Sequence, residues 1–174
     1  MTTDADRQAI HAELERVRQT FARHVAQMNL EDLRRQSNGT RWTNRQLLFH
    51  MLFGYLLVRR LLWMVKILGR LPRSSTKPFA ALLNFGTTPF HWINYLGSVG
   101  GGAVFTPPQM KRRLDRVTAK LESDLDKQGD EAMARGMYYP TRWDPYFKPY
   151  MRLSDIYHYP TQHFDHHDRQ LSSR

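Results

Sequence analysis

Arg41-Trp42-Thr43-Asn44-Arg45-Gln46 runs straight into Leu47-Leu48-Phe49-His50-Met51-Leu52-Phe53-Gly54-Tyr55-Leu56-Leu57-Val58, and this stretch decides the fold. Thr43 and Gln46 stand three apart at the head of an apolar run. That is the spacing of a capping box, in which each side chain satisfies a free backbone N–H at a helix start. A helix is therefore expected from near Asn44 to about Gly69. Its first dozen residues are apolar all round, so it is either the centre of a bundle or faces lipid. A spanning helix needs about twenty such residues, and Arg59-Arg60 interrupts the run, with Lys66 after it. A buried bundle helix is the reading that remains.

Working outward, residues Asp4 to Met28 read as an amphipathic helix with Ile10, Leu14, Val17, Phe21 and Val25 on one stripe, closed off by the turn-forming Gln36-Ser37-Asn38-Gly39. On the other side, Leu71 to Pro108 carries Pro72, Pro78, Pro89, Pro107 and Pro108 with glycines 97, 100, 101 and 102. It reads as a long crossover between the second and third helices. Gly100-Gly101-Gly102 lacks the Lys and Ser/Thr of a phosphate loop and reads as flexible connection. Thr106-Pro107-Pro108-Gln109 opens a third helix with Met110, Leu114, Val117, Leu121 and Leu125 inward and Gly129 as its stop. A loop containing Trp143-Asp144-Pro145-Tyr146-Phe147 leads to a last helix from Ser154, which Pro160 must kink or restart. No useful strand alternation and no internal repeat are seen. The expectation is an all-α four-helix bundle forming one domain over residues 1–174.

Hydrophobic residues make up 41% of the 174, enough for a packed core. There is no cysteine, which excludes disulfides, thiolate metal sites and a cysteine nucleophile. The charged N-terminal stretch has no apolar core of the kind a secretory signal needs, so a cytoplasmic location is expected. The net charge is +10, and from Leu33 to Leu114 there are thirteen basic residues and no acid. Such a block suits an anionic partner, although a merely solvated basic surface accounts for it equally well.

His163 and His167 lie four apart, so on a helix they project from one face, one turn from each other. Two imidazoles so placed suit zinc, and also nickel, iron or copper. His50 is the natural third ligand, because an unpartnered imidazole in an apolar helix is costly to bury. Gly54, one turn on, leaves room beside its ring. His158, His166, His91, His24 and His11 are competitors. His166 falls where it can rim the site but is poorly placed to share one metal. Asp165 and Asp168 flank the pair and are candidates to orient an imidazole, or else are exposed acids.

These residues carry a family likeness. Arg41 to His50 resembles the tryptophan-led entry to the second helix of the DinB-like superfamily of metal-dependent enzymes. Tyr157 to Leu171 resembles that family's terminal H-x-x-x-H element followed by Gln-Leu, and the spacing between the two is similar. The resemblance covers most of the chain. It implies a four-helix bundle with an unusual connection order and one metal held by His50, His163 and His167, with a position left open. Characterised members are mostly thiol-dependent transferases or isomerases, and some are hydrolase-like. The implied function is a divalent-metal-binding protein, zinc first and nickel or iron as alternatives. It would transfer a low-molecular-weight thiol to a small-molecule substrate, or else act as a metal-dependent hydrolase. The strongly basic, proline-interrupted middle departs from the family pattern.

An open position on such a metal activates a bound thiol or water. No general base stands out among Tyr55, Tyr95, Tyr157, Tyr159 and Asp165. A second class of function is a non-enzymatic basic module on an anionic membrane surface, with Trp63, Phe79, Phe90, Trp92 and Tyr95 beside the cations. Nucleic acid ranks below membrane, since no nucleic-acid-binding signature is present. A homodimer is compatible with these features.

Overall fold

The structure, a computed structural model, describes residues 4–172. The capping box forms as read. Thr43 N–H donates to Gln46 Oε1 at 3.0 Å, Gln46 N–H donates back to Thr43 Oγ1, and helix α3 (Asn44–Leu68) follows. Around it run α1 (Asp4–Gln27), α6 (Pro107–Leu125) and α8 (Leu153–Asp168). α3 packs on α6 and α8, and α1 closes the ring by packing on the same two helices. Ile10, Leu14, Val17 and Phe21 from α1, Leu47 through Val65 from α3 and Met110 through Leu125 from α6 meet in one core. The fold is all-α, and no described helix is long and apolar enough to cross a membrane.

The expected crossover is itself helical. α4 (Thr76–Phe85) and α5 (Thr87–Val104) fill it, and α5 lies along α3. Pro78 and Pro89 each sit in a first turn, where the missing N–H breaks no helical bond. Gly101 and Gly102 are not flexible chain. A Cβ on Gly101 would stand 2.1 Å from the Phe49 ring, and one on Gly102 would stand 2.9 Å from the Gln46 backbone. The glycines let α5 lie against α3, and that contact outweighs the roughly 1 kcal/mol per residue they lose in helix propensity. Arg45 fastens the end of α5, donating to the carbonyls of Ala103 and Phe105 at 3.2 Å.

Three smaller expectations change. α6 stops at Leu125, and Gly129 caps the start of α7 (Asp130–Ala134) instead. A hairpin forms from β1 (Gly136–Tyr138) and β2 (Tyr150–Arg152), strands too short to show alternation. α8 is one helix from Leu153 through Pro160, so the proline does not start its main part, and it removes the donor for the carbonyl of Ile156. α2 (Leu30–Arg34) completes the helices.

His158, on α8, ties that helix to α1. Its Nδ1 lies 2.9 Å from Glu13 and its Nε2 3.0 Å from Asp6. The Glu13 hydrogen bond, with Asp6 adding to it against burial, raises the imidazolium from 6.5 to about 9.

Two outcomes follow. Gly101→Ala should destabilise the fold by about 1–3 kcal/mol in urea unfolding, because the added methyl enters the Phe49 ring. The His158 contribution is complete below pH 6.5, where the unfolded chain is protonated too, and is lost as pH rises through 9. His158→Asn should therefore cost about 1.5 kcal/mol at pH 6 and little at pH 10, in paired denaturation series.

Candidate metal centre

His50 projects from the buried middle of α3, and His163 and His167 from one face of α8, so the packing of these two helices brings the rings together. All three are buried. The ring centroids are 4.9, 4.5 and 4.6 Å apart for the pairs 50–163, 50–167 and 163–167. One ligand nitrogen from each lies within 4.8 Å of the others, a set that could hold a metal ion.

The proton on each ring is assigned by what lies behind it. Ser98 Oγ spends its hydrogen on the carbonyl of Asn94 at 2.8 Å, so toward His50 Nδ1, 3.1 Å away, it can only accept. His163 Nδ1 donates to Asp144 Oδ2 at 2.9 Å, and His167 Nδ1 to Gln170 Oε1 at 2.7 Å. With each Nδ1 carrying the hydrogen, a neutral ring has its lone pair on Nε2. His50 Nε2 and His167 Nε2 then face each other at 3.0 Å without a proton to share, and His163 Nε2 is buried with no protein partner. A cation satisfies all three at once, and acceptors behind the rings are the usual support of imidazole ligands. Burial first, then the neighbouring His163 and His167, hold the His50 imidazolium well below its ordinary value. Burial and His163 push His167 down to about 3. Both rings are therefore neutral at pH 7, the form that binds metal.

Gly54 has the role of clearance, but the space is taken by a ligand ring. A Cβ there would stand 3.0 Å from His163 Cδ2. Trp42 stacks on His50, 4.3 Å between centroids and 26° between planes. Beyond Trp42 opens a cavity of about 410 Å³ lined by Arg41, Trp42, His91, Trp92, Asn94 and Tyr95. It lies in the size range of small-molecule pockets.

The competing histidines are placed elsewhere. His158 bridges to α1, His24 pairs with Asp168 at 2.6 Å, and His11 with Asp126 at 2.8 Å. His91 lines the outer cavity, while His166 rims the site, its ring 5.0 Å from His167 and its Nδ1 3.1 Å from Tyr146 Oη. Asp165 and Asp168 do not orient the ligand rings, because Asp165 binds Arg16 and Asp168 binds His24. Of the tyrosines, Tyr55 bonds Thr161 and Tyr159 donates to Asp144, and burial raises both hydroxyls above their ordinary range.

Sequence reasoning missed Asp144, Ser98 and Gln170. Asp144 accepts from His163 and Tyr159 through Oδ2 and from Tyr146 N–H through Oδ1. Burial alone would raise its carboxyl, but these donors, His163 first, hold it below the ordinary value. A signal was present, since Asp144 is the one acid between Glu131 and Asp155 and sits among aromatic residues. Gln170 is held by the chain around it. Its carbonyl accepts from Asn38 N–H at 2.8 Å, and Ser172 N–H donates to Asn44 at the start of α3 at 3.1 Å.

Compared with known protein families, the chain matches the DinB superfamily over residues 13–171. No curated protein and no solved structure matches it.

Asp144→Ala leaves three buried donors without their acceptor. The variant should lose on the order of 3 kcal/mol in urea unfolding carried out in chelator, with Asp144→Asn losing less.

Proposed function

The chain belongs to the DinB superfamily, and on that footing we propose that it binds one divalent metal, zinc, through Nε2 of His50, His163 and His167. We propose further that it transfers a low-molecular-weight thiol to a small electrophilic substrate. The observation that carries the metal reading is the set of three Nε2 lone pairs turned on one another, each fixed by an acceptor behind its ring. Nickel and iron suit imidazole ligands as well. When bound, the metal lowers the pKa of a thiol or water brought to its open position.

The chain's own residues divide the remaining work. Ser98, Asp144 and Gln170 hold the rings in the ligating tautomer. Trp42 covers one face of His50 and separates the rings from the outer cavity. That cavity offers Arg41, His91 and Asn94 among aromatic walls, a lining suited to a small polar or anionic molecule. With no cysteine in the chain, the thiol has to come from a cosubstrate.

Metal analysis of untagged protein should find about one equivalent in the wild type and a tenth of that or less in His50→Ala and His163→Ala. Equal content in all three would overturn the metal reading. Loaded protein should then consume an electrophile only when a low-molecular-weight thiol is supplied. Turnover without thiol would make it a hydrolase.

A further inference from the structure

Large apolar side chains exposed to water are concentrated in one part of this molecule. Of the ten that stand out among the described residues, only Leu30 lies outside residues 63–104. Trp63 is 67% exposed, Leu82 66%, Phe85 89% and Leu96 57%, values that leave more than half of each residue in solvent. α5 has two apolar faces. Ser98, Gly101 and Gly102 are packed on α3, while Trp92, Ile93, Leu96 and Val104 face out, and none of its eighteen residues is charged. On α4 the one charged residue is Lys77. Apolar exposure concentrated in this way marks an interaction surface.

The patch is connected and its border has one sign. Trp63 and Ile67 of α3 line a groove of about 1270 Å³ together with Phe79 and Leu83 of α4, and α4 packs against α5. Arg59, Arg60, Lys120 and Lys127 stand around that groove, exposed and, among the described residues, without an ion-pair partner. Lys66 is bridged to Asp124 at 2.7 Å, the one acid of the lining. Arg70 and Lys77 extend the cationic border along the chain.

We propose that this face, formed by α4, α5 and the second half of α3, lies on a lipid bilayer bearing anionic headgroups. Exposed tryptophan and phenylalanine enter the headgroup boundary while the surrounding cations meet lipid phosphates, the two contributions that hold a helix in the plane of a membrane. The partner's charge follows from the border. A second copy docked two-fold on the same face would set the cationic borders against each other. Nucleic acid would answer the charge but leaves the protruding Leu82, Phe85 and Leu96 without purpose. Because no described helix can span a bilayer, the association is peripheral. The test does not depend on the metal reading, since none of the residues it substitutes bonds the three histidines, and the contact of α5 with His50 is made by Ser98 on its packed side.

The test is co-sedimentation of the intact protein with vesicles of phosphatidylcholine alone or mixed with phosphatidylglycerol, at low and high salt. The wild type should pellet with the mixed vesicles at low salt and stay in solution with the neutral ones. Arg59→Glu/Arg60→Glu should lower partitioning by at least about tenfold. Leu82→Ser/Phe85→Ser/Leu96→Ser should do the same by removing insertion. All of these side chains are exposed, so both variants should keep the wild-type circular dichroism. Absence of pelleting at low salt, or equal pelleting with neutral vesicles, would overturn the proposal. So would binding that survives the serine variant, which is the pattern of a purely electrostatic partner such as nucleic acid. A lipid-free dimer that the serine variant turns into a monomer would assign the face to self-association instead.

Discussion

Three buried imidazoles brought within reach of one another are an arrangement that a protein does not keep without compensation. The acceptors behind His50, His163 and His167 remove the simplest escape, because a ring whose Nδ1 proton is committed cannot turn its N–H inward without losing that bond. Most of the rest of the molecule can be read as holding this cluster in place. α3 and α8 supply the rings, α5 supplies Ser98, the loop before the hairpin's second strand supplies Asp144, and the chain after α8 supplies Gln170.

The support therefore comes from segments with little in common in sequence. α5 comes close enough to α3 to reach His50 because Gly101 and Gly102 present no side chain to the Phe49 ring and the Gln46 backbone. Asp144 reaches His163 from a loop whose Trp143 stacks on Phe90 of α5 at 4.1 Å and donates from Nε1 to the carbonyl of Leu83. Asn44, the first residue of α3, binds Ser172 and so holds the segment that carries Gln170. Altering α5 would thus reach the centre by two routes, through Ser98 and through the Trp143 loop.

The cationic middle of the chain takes on a different meaning once the helices are placed. Part of it is structural, with Arg45 closing the end of α5 and Arg73 lying 4.0 Å over the Tyr150 ring. Arg59, Arg60 and Lys66 line the groove beside exposed apolar residues that a water-soluble monomer would ordinarily cover. The three histidines are buried, whereas the exposed large apolar side chains concentrate on α4, α5 and the second half of α3. The centre and the surface patch are thereby separated, and the outer cavity at Trp42 lies on the α5 side of the centre.

Much was legible in the order of residues. The Thr43/Gln46 box, the inward stripes of α1 and α6 and the four-residue spacing of His163 and His167 are local patterns, fixed by the 3.6-residue turn and by free N–H groups at helix starts. His50 was legible as a buried polar group in need of a partner. The helicity of residues 76–104 was not, because prolines and a glycine triplet argue against a helix locally. Only the approach of α5 to Phe49 and Gln46 reverses that preference. Nor did any spacing connect Asp144 with His163 or Ser98 with His50, and Asp165 and Asp168, the nearer acids, point instead to Arg16 and His24. Periodicity reports which face of a segment is buried. Which acceptor stands behind each ring depends on contacts between distant segments, and those exist only once the helices have packed.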